Sequence, residues 1–333
     1  MRAVVLVGGF GTRLRPLTND LPKQMLPVVR VPMIERVVAA LGSYGVTEAV
    51  LSLGYRPDAF IDAYPDGVCA GVVLHYAVEP DPLDTAGAVR FAALSAGIDD
   101  TFIVVNGDVL TDLNVAELWE FHKSHGAEGT IALTPVEDPS RYGVVPIDDN
   151  GRVIEFVEKP APGTAPTNWI NAGTYVLEPS VFDRIASDRK VSIERETFPA
   201  MVADESLFAL HSDAYWIDAG TPDTYLRAQL DLIDGIRANE IAVLPSDEID
   251  SSALVENSVL GADVVIGNGT IVRNSILMDG VTIGPGVRIH DSIIASGARV
   301  GPDSHISDLT VVGAGVEVPA QSELTGARLP ESD

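Results

Sequence analysis

The first two thirds of the chain alternate short apolar runs with stretches in which apolar residues recur every three or four positions. The runs predict buried strands, because their β-branched residues are typical of parallel sheets. The recurring spacing predicts helices. The predicted strands are Ala3–Val7, Glu48–Leu53, Val72–Val78, Thr101–Val105, Thr130–Pro135, Gly143–Asp148, Val153–Glu158 and Trp169–Leu177, with a late strand that ends in the segment Tyr215–Gly220, and the helices are Met33–Ser43, Ala86–Ser95 and 222–235. This alternation predicts a mostly parallel sheet with helices on both faces.

Beyond Leu244–Pro245 the pattern changes to a repeat of 17 residues. The repeat is marked by an apolar series at Ile249, Ile266, Ile283 and Val300 and by a second series at Val255, Val272, Ile289 and Ile306. Such a period divides into three short apolar faces per coil, which predicts a triangular solenoid. A coil near Val312–Val318 slips by one residue. The pattern resembles the left-handed β-helix of hexapeptide-repeat proteins.

The fold prediction is therefore an α/β chain with two domains. A Rossmann-like, mostly parallel sheet domain is expected over residues 1–240, and a left-handed parallel β-helix over residues 245–333. A helix that leaves the first domain, over 222–235, would join the two.

Composition narrows the possible partners and location. A net charge of −26 argues against nucleic acid or an anionic membrane, because both repel an acidic surface. The single cysteine, Cys69, excludes an intrachain disulfide and suits a reducing cytoplasm. No apolar run approaches the ~20 residues of a membrane span, and the N-terminal strand leaves no room for a signal peptide. We expect a cytoplasmic protein.

Three glycines and three cations follow the first strand. Gly8, Gly9 and Gly11 let the backbone approach a ligand closely, and their N–H groups can surround an anion. The cations in this segment are Arg13, Arg15 and Lys23. Lys23 is one of only four lysines, against 18 arginines. This segment, residues 8–23, predicts a binding site for polyphosphate, which we call the phosphate cradle.

Two further polar segments also follow predicted strands. The segment Glu79–Gly87 comes after the third strand, and Asp108 after the fourth. Ligands of open α/β sheets bind beyond the carboxyl ends of the strands, so both should lie near the cradle. A carboxylate at position 108 suits Mg²⁺, with Asp218 as a second ligand, although either residue also fits a simple turn or helix cap.

The segment GGFGTRLRPLT with the following Pro22–Lys23 resembles the signature of sugar-1-phosphate nucleotidylyltransferases. Later segments extend the resemblance, namely Tyr142–Val144, Glu158–Pro160 and Asn171–Gly173. The resemblance implies nucleotidyl transfer from a nucleoside triphosphate to a sugar 1-phosphate. It assigns catalysis to Arg13, Lys23 and Asp108, and Mg²⁺ to Asp108 and Asp218. It assigns the nucleotide to Leu6, Gly8, Gly9, Gly11, Thr12, Arg13, Lys23, Glu79, Thr85 and Gly87, and the sugar phosphate to Gly143, Glu158, Lys159 and Asn171.

Glu79 bears on the choice of base. A carboxylate only accepts hydrogen bonds, and guanine offers two adjacent donors, so Glu79 favours GTP. Pro82–Gly87 resembles a segment of mannose-1-phosphate guanylyltransferases, as do Asn171–Gly173 and Ser192–Glu194, although Asp84 stands where that family has glycine. Lys23–Pro27 is closer to the glucose-1-phosphate thymidylyltransferase version, which leaves thymidylyl or uridylyl transfer as an alternative.

Two alternatives of other classes also arise. His290 and His305 on the predicted β-helix would be available for acyl transfer, but there is no basic patch for coenzyme A. A catalytically silent subunit that binds nucleotide sugars is the other alternative, although the cradle and the aspartates are all present. The β-helix is expected to support a homo-oligomer.

Overall fold

The computed structural model describes residues 1–238, 240–243 and 248–331. The predicted boundary at Leu244–Pro245 lies outside these residues. The chain groups into two compact units. One, the sheet unit, comprises Met1–Gly9 and Ile34–Trp216, and the other, the solenoid unit, comprises Phe10–Met33 and Ile217–Asp333.

Short strands and helices alternate as far as residue 233. The strands are β1 (Arg2–Leu6), β2 (Pro27–Val28), β3 (Val31–Pro32), β4 (Glu48–Leu53), β5 (Val68–Cys69), β6 (Val72–Val78), β7 (Phe102–Asn106), β8 (Val109–Thr111), β9 (Gly129–Pro135), β10 (Gly143–Val144), β11 (Val157–Glu158), β12 (Trp169–Leu177), β13 (Leu207–His211) and β14 (Trp216–Asp218). The helices are α1 (Met33–Ser43), α2 (Asp58–Ala63), α3 (Asp84–Ser95), α4 (Val115–His125), α5 (Phe198–Ala203) and α6 (Pro222–Ile233).

Within the described residues of the sheet unit, ten strands form one sheet. Its main order is β11-β10-β12-β7-β1-β4-β6-β5, and β9 and β13 continue from β12. Strands β7, β1, β4 and β6 run parallel to one another, whereas β12 is antiparallel to β7. Leu6 at the end of β1 is level with Ser52 of β4 and Asn106 of β7. The predicted α/β sheet is confirmed.

The interior of the sheet unit is apolar, as the strand sequences predict. Val4, Val50 and Val104 lie on neighbouring parallel strands and are at most 2% exposed. Phe198 of α5 packs on Tyr175 of β12 with a ring-centroid distance of 5.1 Å. The polar residues at the strand ends are therefore carried by a rigid, buried scaffold.

Strands β4, β6 and β12 occupy their predicted bounds. Two other predicted strands are shorter than expected. The strand predicted over Gly143–Asp148 is regular only in β10, and the one over Val153–Glu158 only in β11. Residues 152–153 turn aside to pair with β13, where the Val153 N–H donates to the Leu207 carbonyl at 3.0 Å. Residues 149–151 form a turn, and Ile147 bridges to Val153 across it.

The second unit contains a solenoid whose coils stack in parallel. Its strands are β15 (Leu254–Glu256), β16 (Val259–Leu260), β17 (Val265–Ile266), β18 (Ile271–Arg273), β19 (Ile276–Leu277), β20 (Thr282–Ile283), β21 (Arg288–His290), β22 (Ile293–Ile294), β23 (Arg299–Val300), β24 (His305–Ser307), β25 (Val311–Val312), β26 (Glu317–Val318), β27 (Glu323–Thr325) and β28 (Arg328–Leu329). They form three parallel sheets, one for each face. Ile276 pairs with Ile293, 17 residues on, whereas Ile293 pairs with Val311, 18 residues on. The left-handed β-helix and its one-residue slip are confirmed.

No helix among the described residues is long and apolar enough to cross a membrane.

A buried polar network holds α4 on the sheet. His122, which is fully buried, bonds Thr130 through Nδ1 at 2.9 Å and Glu178 through Nε2 at 3.2 Å. Glu178 also accepts from Lys123 at 2.8 Å and from the Thr101 hydroxyl. Burial lowers the pKa of His122, a shift that Glu178 partly offsets. Burial opposes ionisation of Glu178, but its hydrogen bonds outweigh this effect and lower its pKa.

This network predicts that the protein loses stability as the pH falls. Below the ordinary histidine value of 6.5 the unfolded chain gains a proton that buried His122 resists. The contribution of Glu178 is present above its ordinary value of 4.5 and is lost as the pH falls through its lower folded pKa. We expect Glu178→Gln to lower the unfolding free energy at pH 7 by about 1.5–3 kcal/mol, the usual effect of hydrogen bonds to charged groups. Glu120→Gln, on the exposed side of α4, is the control.

Denaturant unfolding from pH 7.5 to about 2.5 measures both effects. The Glu178→Gln and parent curves should converge only below pH 4.5, as Glu178 of the folded parent gains its proton. An equal difference at every pH would contradict the assignment.

Candidate active site

The carboxyl ends of β1 and β7 place two predicted site residues, Gly8 and Asp108, at one edge of the sheet. The Val7 N–H donates to the Ser52 carbonyl at 3.1 Å, and the Gly107 N–H donates to the Leu6 carbonyl at 3.0 Å. These bonds continue the parallel ladder for one residue past β1 and β7. Gly8 and Asp108 therefore leave neighbouring strands at the same edge, where open α/β sheets bind ligands.

Glu79 follows β6 at this edge and lies beside Gly8. A methyl group on Gly8 would come 3.4 Å from Oε1 of Glu79 and 3.5 Å from the Gly54 nitrogen. A side chain longer than a methyl would occupy the space next to the carboxylate. The glycine thus keeps a ligand's access to Glu79 open.

Both carboxylate oxygens of Glu79 are held by the protein. The Ser52 hydroxyl lies 3.0 Å from Oε1, and the Leu83 N–H donates to Oε2 at 3.1 Å. The Glu79 N–H itself donates to the Leu53 carbonyl at 2.8 Å. Each oxygen keeps a second lone pair, so the carboxylate is oriented and can still accept two hydrogen bonds from a ligand.

The segment from Leu83 to Gly87 is tied to residues 191–194. The Thr85 hydroxyl donates to Oε2 of Glu194 at 2.7 Å and accepts from the Ile193 N–H at 2.8 Å. The Gly87 N–H donates to the Val191 carbonyl at 3.2 Å, and a side chain at Gly87 would come 2.8 Å from Cβ of Leu83. In this structure Thr85 and Gly87 hold the segment that carries Glu79, and their contact with a nucleotide stays a prediction.

Asp84 has a φ of +62°, in the left-handed region. Aspartate tolerates this region better than most residues, because its short side chain can bond locally, and its Oδ1 accepts from the Thr85 N–H at 2.8 Å. This backbone conformation explains why glycine is the usual residue at this position in the resembling family.

Gly143, Glu158 and Lys159 meet where β10 pairs with β11. Gly143 is level with Glu158, and a side chain at Gly143 would come 2.6 Å from the ring of Phe156. Lys159 has a φ of +50°, its N–H donates to the Tyr142 carbonyl at 3.0 Å, and its Nζ lies 3.3 Å from Oε1 of Glu158. The side chain of Lys159 is 59% exposed and can reach a ligand phosphate.

Asn171 stands at an irregularity of β12. The register to β9 shifts between Asn171 and Tyr175, and Gly173 within this bulge has a φ of +74°. Oδ1 of Asn171 accepts from the Gly173 N–H, and Nδ2 donates to the Tyr175 hydroxyl, both at 2.9 Å. A bulge re-aims side chains, which here turns Asn171 toward the polar residues around Tyr175.

Two carboxylates lie near the Tyr175 hydroxyl. Burial raises the pKa of Tyr175, and the negative charges of Glu194 and then Glu158 add to the rise. Glu194 accepts from Ser192 at 2.8 Å as well as from Thr85. Asn171 donates to the Tyr175 hydroxyl, and the charges of Glu194 and Glu158 both act on it; of these three residues, only Asn171 and Glu158 were predicted site residues. The resemblance of Ser192–Glu194 to a guanylyltransferase segment was the feature of the sequence that pointed to Glu194.

In the solenoid unit, residues 10–23 of the predicted cradle form tight turns. Gly11 has a φ of +63°, and a side chain there would come 3.0 Å from Cγ2 of Thr18 and 3.2 Å from Cβ of Lys23. The Thr18 hydroxyl donates to the Gly11 carbonyl at 2.8 Å, which closes the loop around the 3₁₀ turn Thr12–Leu14. Lys23 begins a second 3₁₀ turn, so Thr12, Arg13 and Lys23 lie on one compact segment.

The guanidinium of Arg13 lies near the carboxylate of Asp218, at the end of β14. Its Nη2 lies 3.9 Å from Oδ2 of Asp218, whose Oδ1 accepts from the Gly220 N–H at 2.9 Å. A side chain at Gly220 would come 2.7 Å from both Nη2 of Arg13 and Oδ1 of Asp218. The Arg13 side chain is 62% exposed, so its guanidinium is accessible to phosphate oxygens.

Among the described residues, no group of three or more histidine, cysteine, aspartate or glutamate side chains has a geometry that could hold a metal ion. Magnesium is instead commonly held by one or two carboxylates together with substrate phosphates. Asp108 in the sheet unit and Asp218 in the solenoid unit each offer carboxylate oxygens, the ligand type that Mg²⁺ prefers.

The chain combines a mostly parallel α/β sheet, with glycines and charged residues at the carboxyl edge where such sheets bind ligands, with a β-helix. Comparison with known proteins identifies the family. A model described as nucleotidyl transferase matches residues 2–235, and a model described as GMPPB C-terminal domain matches residues 222–330. The chain belongs to the nucleotidyl transferase family.

Named relatives and solved structures agree with this family. The mannose-1-phosphate guanyltransferase of Hypocrea jecorina is 47% identical over 68% of this chain and 62% of its own length. The mannose-1-phosphate guanylyltransferase of Mycobacterium tuberculosis is 39% identical over 80% of this chain and 77% of its own. HddC from Yersinia pseudotuberculosis is 32% identical, covers 68% of this chain and 97% of its own, and has a TM-score of 0.60. A second HddC structure, complexed with GMP-PN, has a TM-score of 0.57.

Proposed function

We propose that the chain transfers a guanylyl group from GTP to mannose 1-phosphate, which gives GDP-mannose and pyrophosphate. The names of both curated relatives support this substrate pair, and the second HddC structure is a complex with GMP-PN. The observation that carries the proposal is the carboxylate of Glu79, oriented by Ser52 and Leu83 beside Gly8.

Glu79 recognises guanine through its free lone pairs. Guanine presents two adjacent donors, N1–H and the exocyclic amine, and a fixed carboxylate can accept both. A pyrimidine such as uracil or thymine presents one donor and one acceptor at the corresponding edge. A carboxylate cannot donate to that acceptor, so Glu79 disfavours UTP and dTTP.

In the reaction, a phosphate oxygen of the sugar 1-phosphate attacks the α-phosphorus of GTP as the bond to pyrophosphate breaks. Two anions must meet, so the catalytic need is charge neutralisation and alignment. Lys159 holds the attacking phosphate, and Arg13 and Lys23 hold the nucleotide phosphates and the leaving pyrophosphate. No general base is required, because the attacking phosphate is already ionised.

Magnesium is the proposed cofactor, with Asp108 and Asp218 as its protein ligands. When bound, it would neutralise phosphate charge and orient the phosphates for in-line transfer. Asp108 directly follows Gly107, whose N–H is bonded to the Leu6 carbonyl, so its backbone is fixed at the strand end. Asp218 is fixed by the Gly220 N–H.

The sugar is assigned to the group formed by Glu158, Asn171 and Glu194. Carboxylates accept from sugar hydroxyls, and the amide of Asn171 both donates and accepts. Glu194 also bonds Thr85, so the same side chain links the sugar group to the segment that carries Glu79. A cytoplasmic location and a homo-oligomer built through the β-helix stay predictions.

The test measures pyrophosphate release for GTP, dTTP, UTP, ATP and CTP, each with mannose 1-phosphate or glucose 1-phosphate, with and without Mg²⁺. We expect GTP with mannose 1-phosphate to be the best pair, and activity to require Mg²⁺. A preference for dTTP or UTP with glucose 1-phosphate would keep the mechanism and overturn the base assignment. No activity with any pair would favour a silent nucleotide-sugar-binding subunit.

A further inference from the structure

One face of the β-helix is covered on its outer side. This face consists of β16, β19, β22, β25 and β28, and we call it the covered face. In each of its first four strands one residue belongs to the solenoid core, as Leu277 and Ile294 do. Since side chains alternate along a strand, the other residue points outward. These outward residues are Val259, Ile276, Ile293 and Val311, and all are at most 3% exposed.

The segment that carries most of the phosphate cradle contacts this face and the adjoining α6. Nη1 of Arg30 lies 3.4 Å from the Leu260 carbonyl of β16. The Val29 N–H donates to Oε1 of buried Gln229 in α6 at 3.0 Å, and the Tyr225 hydroxyl bonds the Pro27 carbonyl. The C-terminal side of the segment is thus anchored at three points.

The last coils of the β-helix contact the cradle itself. Nη1 of Arg328, in β28, lies 3.3 Å from the Arg15 carbonyl, to which it donates. Gly313, which follows β25, packs on Pro16, because a side chain there would come 3.2 Å from Cβ of Pro16. These contacts fall on the two residues that immediately follow the turn bearing Arg13.

The turn and these two residues are linked by short-range hydrogen bonds. The Arg15 N–H donates to the Thr12 carbonyl at 3.3 Å, and the Leu17 N–H donates to the Leu14 carbonyl at 3.0 Å. The Thr18 hydroxyl then returns to the Gly11 carbonyl. A displacement at Arg15 therefore shifts the position of the Thr12–Leu14 turn and the direction of the Arg13 side chain.

We propose that Arg328 is a positioning residue for nucleotidyl transfer, which holds the phosphate-binding turn in place from the last coil of the β-helix. It acts through the Arg15 carbonyl and touches no substrate. This inference rests on the proposed function, in which Arg13 binds the triphosphate. It gives the β-helix a part in catalysis besides any part in assembly.

The test compares Arg328→Met with the parent enzyme. Methionine keeps the apolar stem and removes the donor. We expect KM for GTP in the forward reaction, and for pyrophosphate in the reverse reaction, to rise about 5- to 20-fold, because a site displaced by a fraction of an ångström binds phosphate less well. KM for mannose 1-phosphate should stay within about twofold, since its phosphate is held by Lys159. Arg328→Lys, which restores a donor, should recover part of the loss.

The matched control is Arg299→Met, on the exposed surface of the same β-helix. Arg299 is 70% exposed and faces Glu317, so its loss should leave both KM values unchanged. Equal effects of Arg328→Met on both KM values, or on neither, would overturn the proposal.

Hydrogen exchange of the full chain separates this inference from the proposed function, because it needs no substrate. In Arg328→Met the amides of Leu14 and Leu17 should exchange faster, while amides in β19 and β22 keep their protection. Unchanged exchange at Leu14 and Leu17 would refute the positioning role even if GTP is the substrate. Faster exchange in an enzyme that is inactive with every nucleotide would instead refute the proposed function alone.

Discussion

Replacement of Asp108 by asparagine is expected to lower kcat at least about 10³-fold, which corresponds to about 4 kcal/mol of lost transition-state stabilisation. Asparagine keeps the shape of the side chain but removes the negative charge that would hold Mg²⁺ against the substrate phosphates. Stability should be nearly unchanged, since Asp108 lies at a strand end, partly exposed. Asp108→Ala should have the same effect on turnover. Pyrophosphate release over a Mg²⁺ titration, with thermal unfolding alongside, measures both quantities.

Asp149→Asn is the matched control for this experiment. Asp149 is an exposed aspartate of the 149–151 turn in the same unit, and its replacement should leave kcat within about twofold, as for most surface substitutions. Substantial Mg²⁺-dependent turnover in Asp108→Asn, at the Mg²⁺ concentration used for the parent, would remove Asp108 from the metal site. A large loss of thermal stability would mean that Asp108 acts on the fold.

The repeat architecture was predictable because each coil contacts mainly its neighbours. Ile266 pairs with Ile283, and Val255 with Val272, at the spacing seen in the sequence. Even the slip could be located, since one extra residue between Ile293 and Val311 displaces every later apolar position together. Local periodicity determines a structure of this kind, whereas long-range contacts add little information about it.

The strand-end residues could be brought together from the sequence for a different reason. Gly8, Glu79 and Asp108 each follow an apolar run, and the carboxyl ends of parallel strands share one edge. The structure places Gly8 against Glu79, and Asp108 just after β7, the strand that pairs with β1, as that rule requires. The chemical roles of these residues stay predictions.

The residues that hold the site in place could not be predicted, because their partners are distant in sequence. Thr85 and Glu194 are 109 residues apart, and Arg15 and Arg328 are 313 residues apart. Ser52 looks like any small residue of a buried strand, yet its hydroxyl meets Glu79. Periodicity and turn chemistry act over a few residues, so they carry no information on such pairs. The short strands β10 and β11 were mispredicted for the same reason, since their length depends on pairing with β13.

Glu79→Gln is expected to move nucleotide preference from GTP toward UTP and dTTP. The amide has the same size, and its oxygen can still accept from the Leu83 N–H. The amide nitrogen then faces Ser52, which can accept if its own hydroxyl donates to the Ala88 carbonyl, 3.3 Å away. In this orientation the glutamine side chain keeps both of its hydrogen bonds to the protein. It also offers a ligand one donor and one acceptor, which complement the edge of a pyrimidine.

For the GTP reaction, kcat/KM should fall roughly 100-fold, about 3 kcal/mol, since one charge-assisted hydrogen bond is lost and a donor now faces a donor. For UTP or dTTP, kcat/KM should rise. The ratio of kcat/KM for GTP to kcat/KM for UTP or dTTP should therefore change by more than either value alone.

Ser52→Ala is the control, because it keeps the carboxylate but removes one of its two anchors. It should weaken GTP use only several-fold and leave the order of nucleotides unchanged. If nucleotide selectivity is the same in Glu79→Gln and the parent, another group recognises the base. If kcat/KM falls equally with every nucleotide, Glu79 supports the segment up to Gly87 and makes no contact with the base.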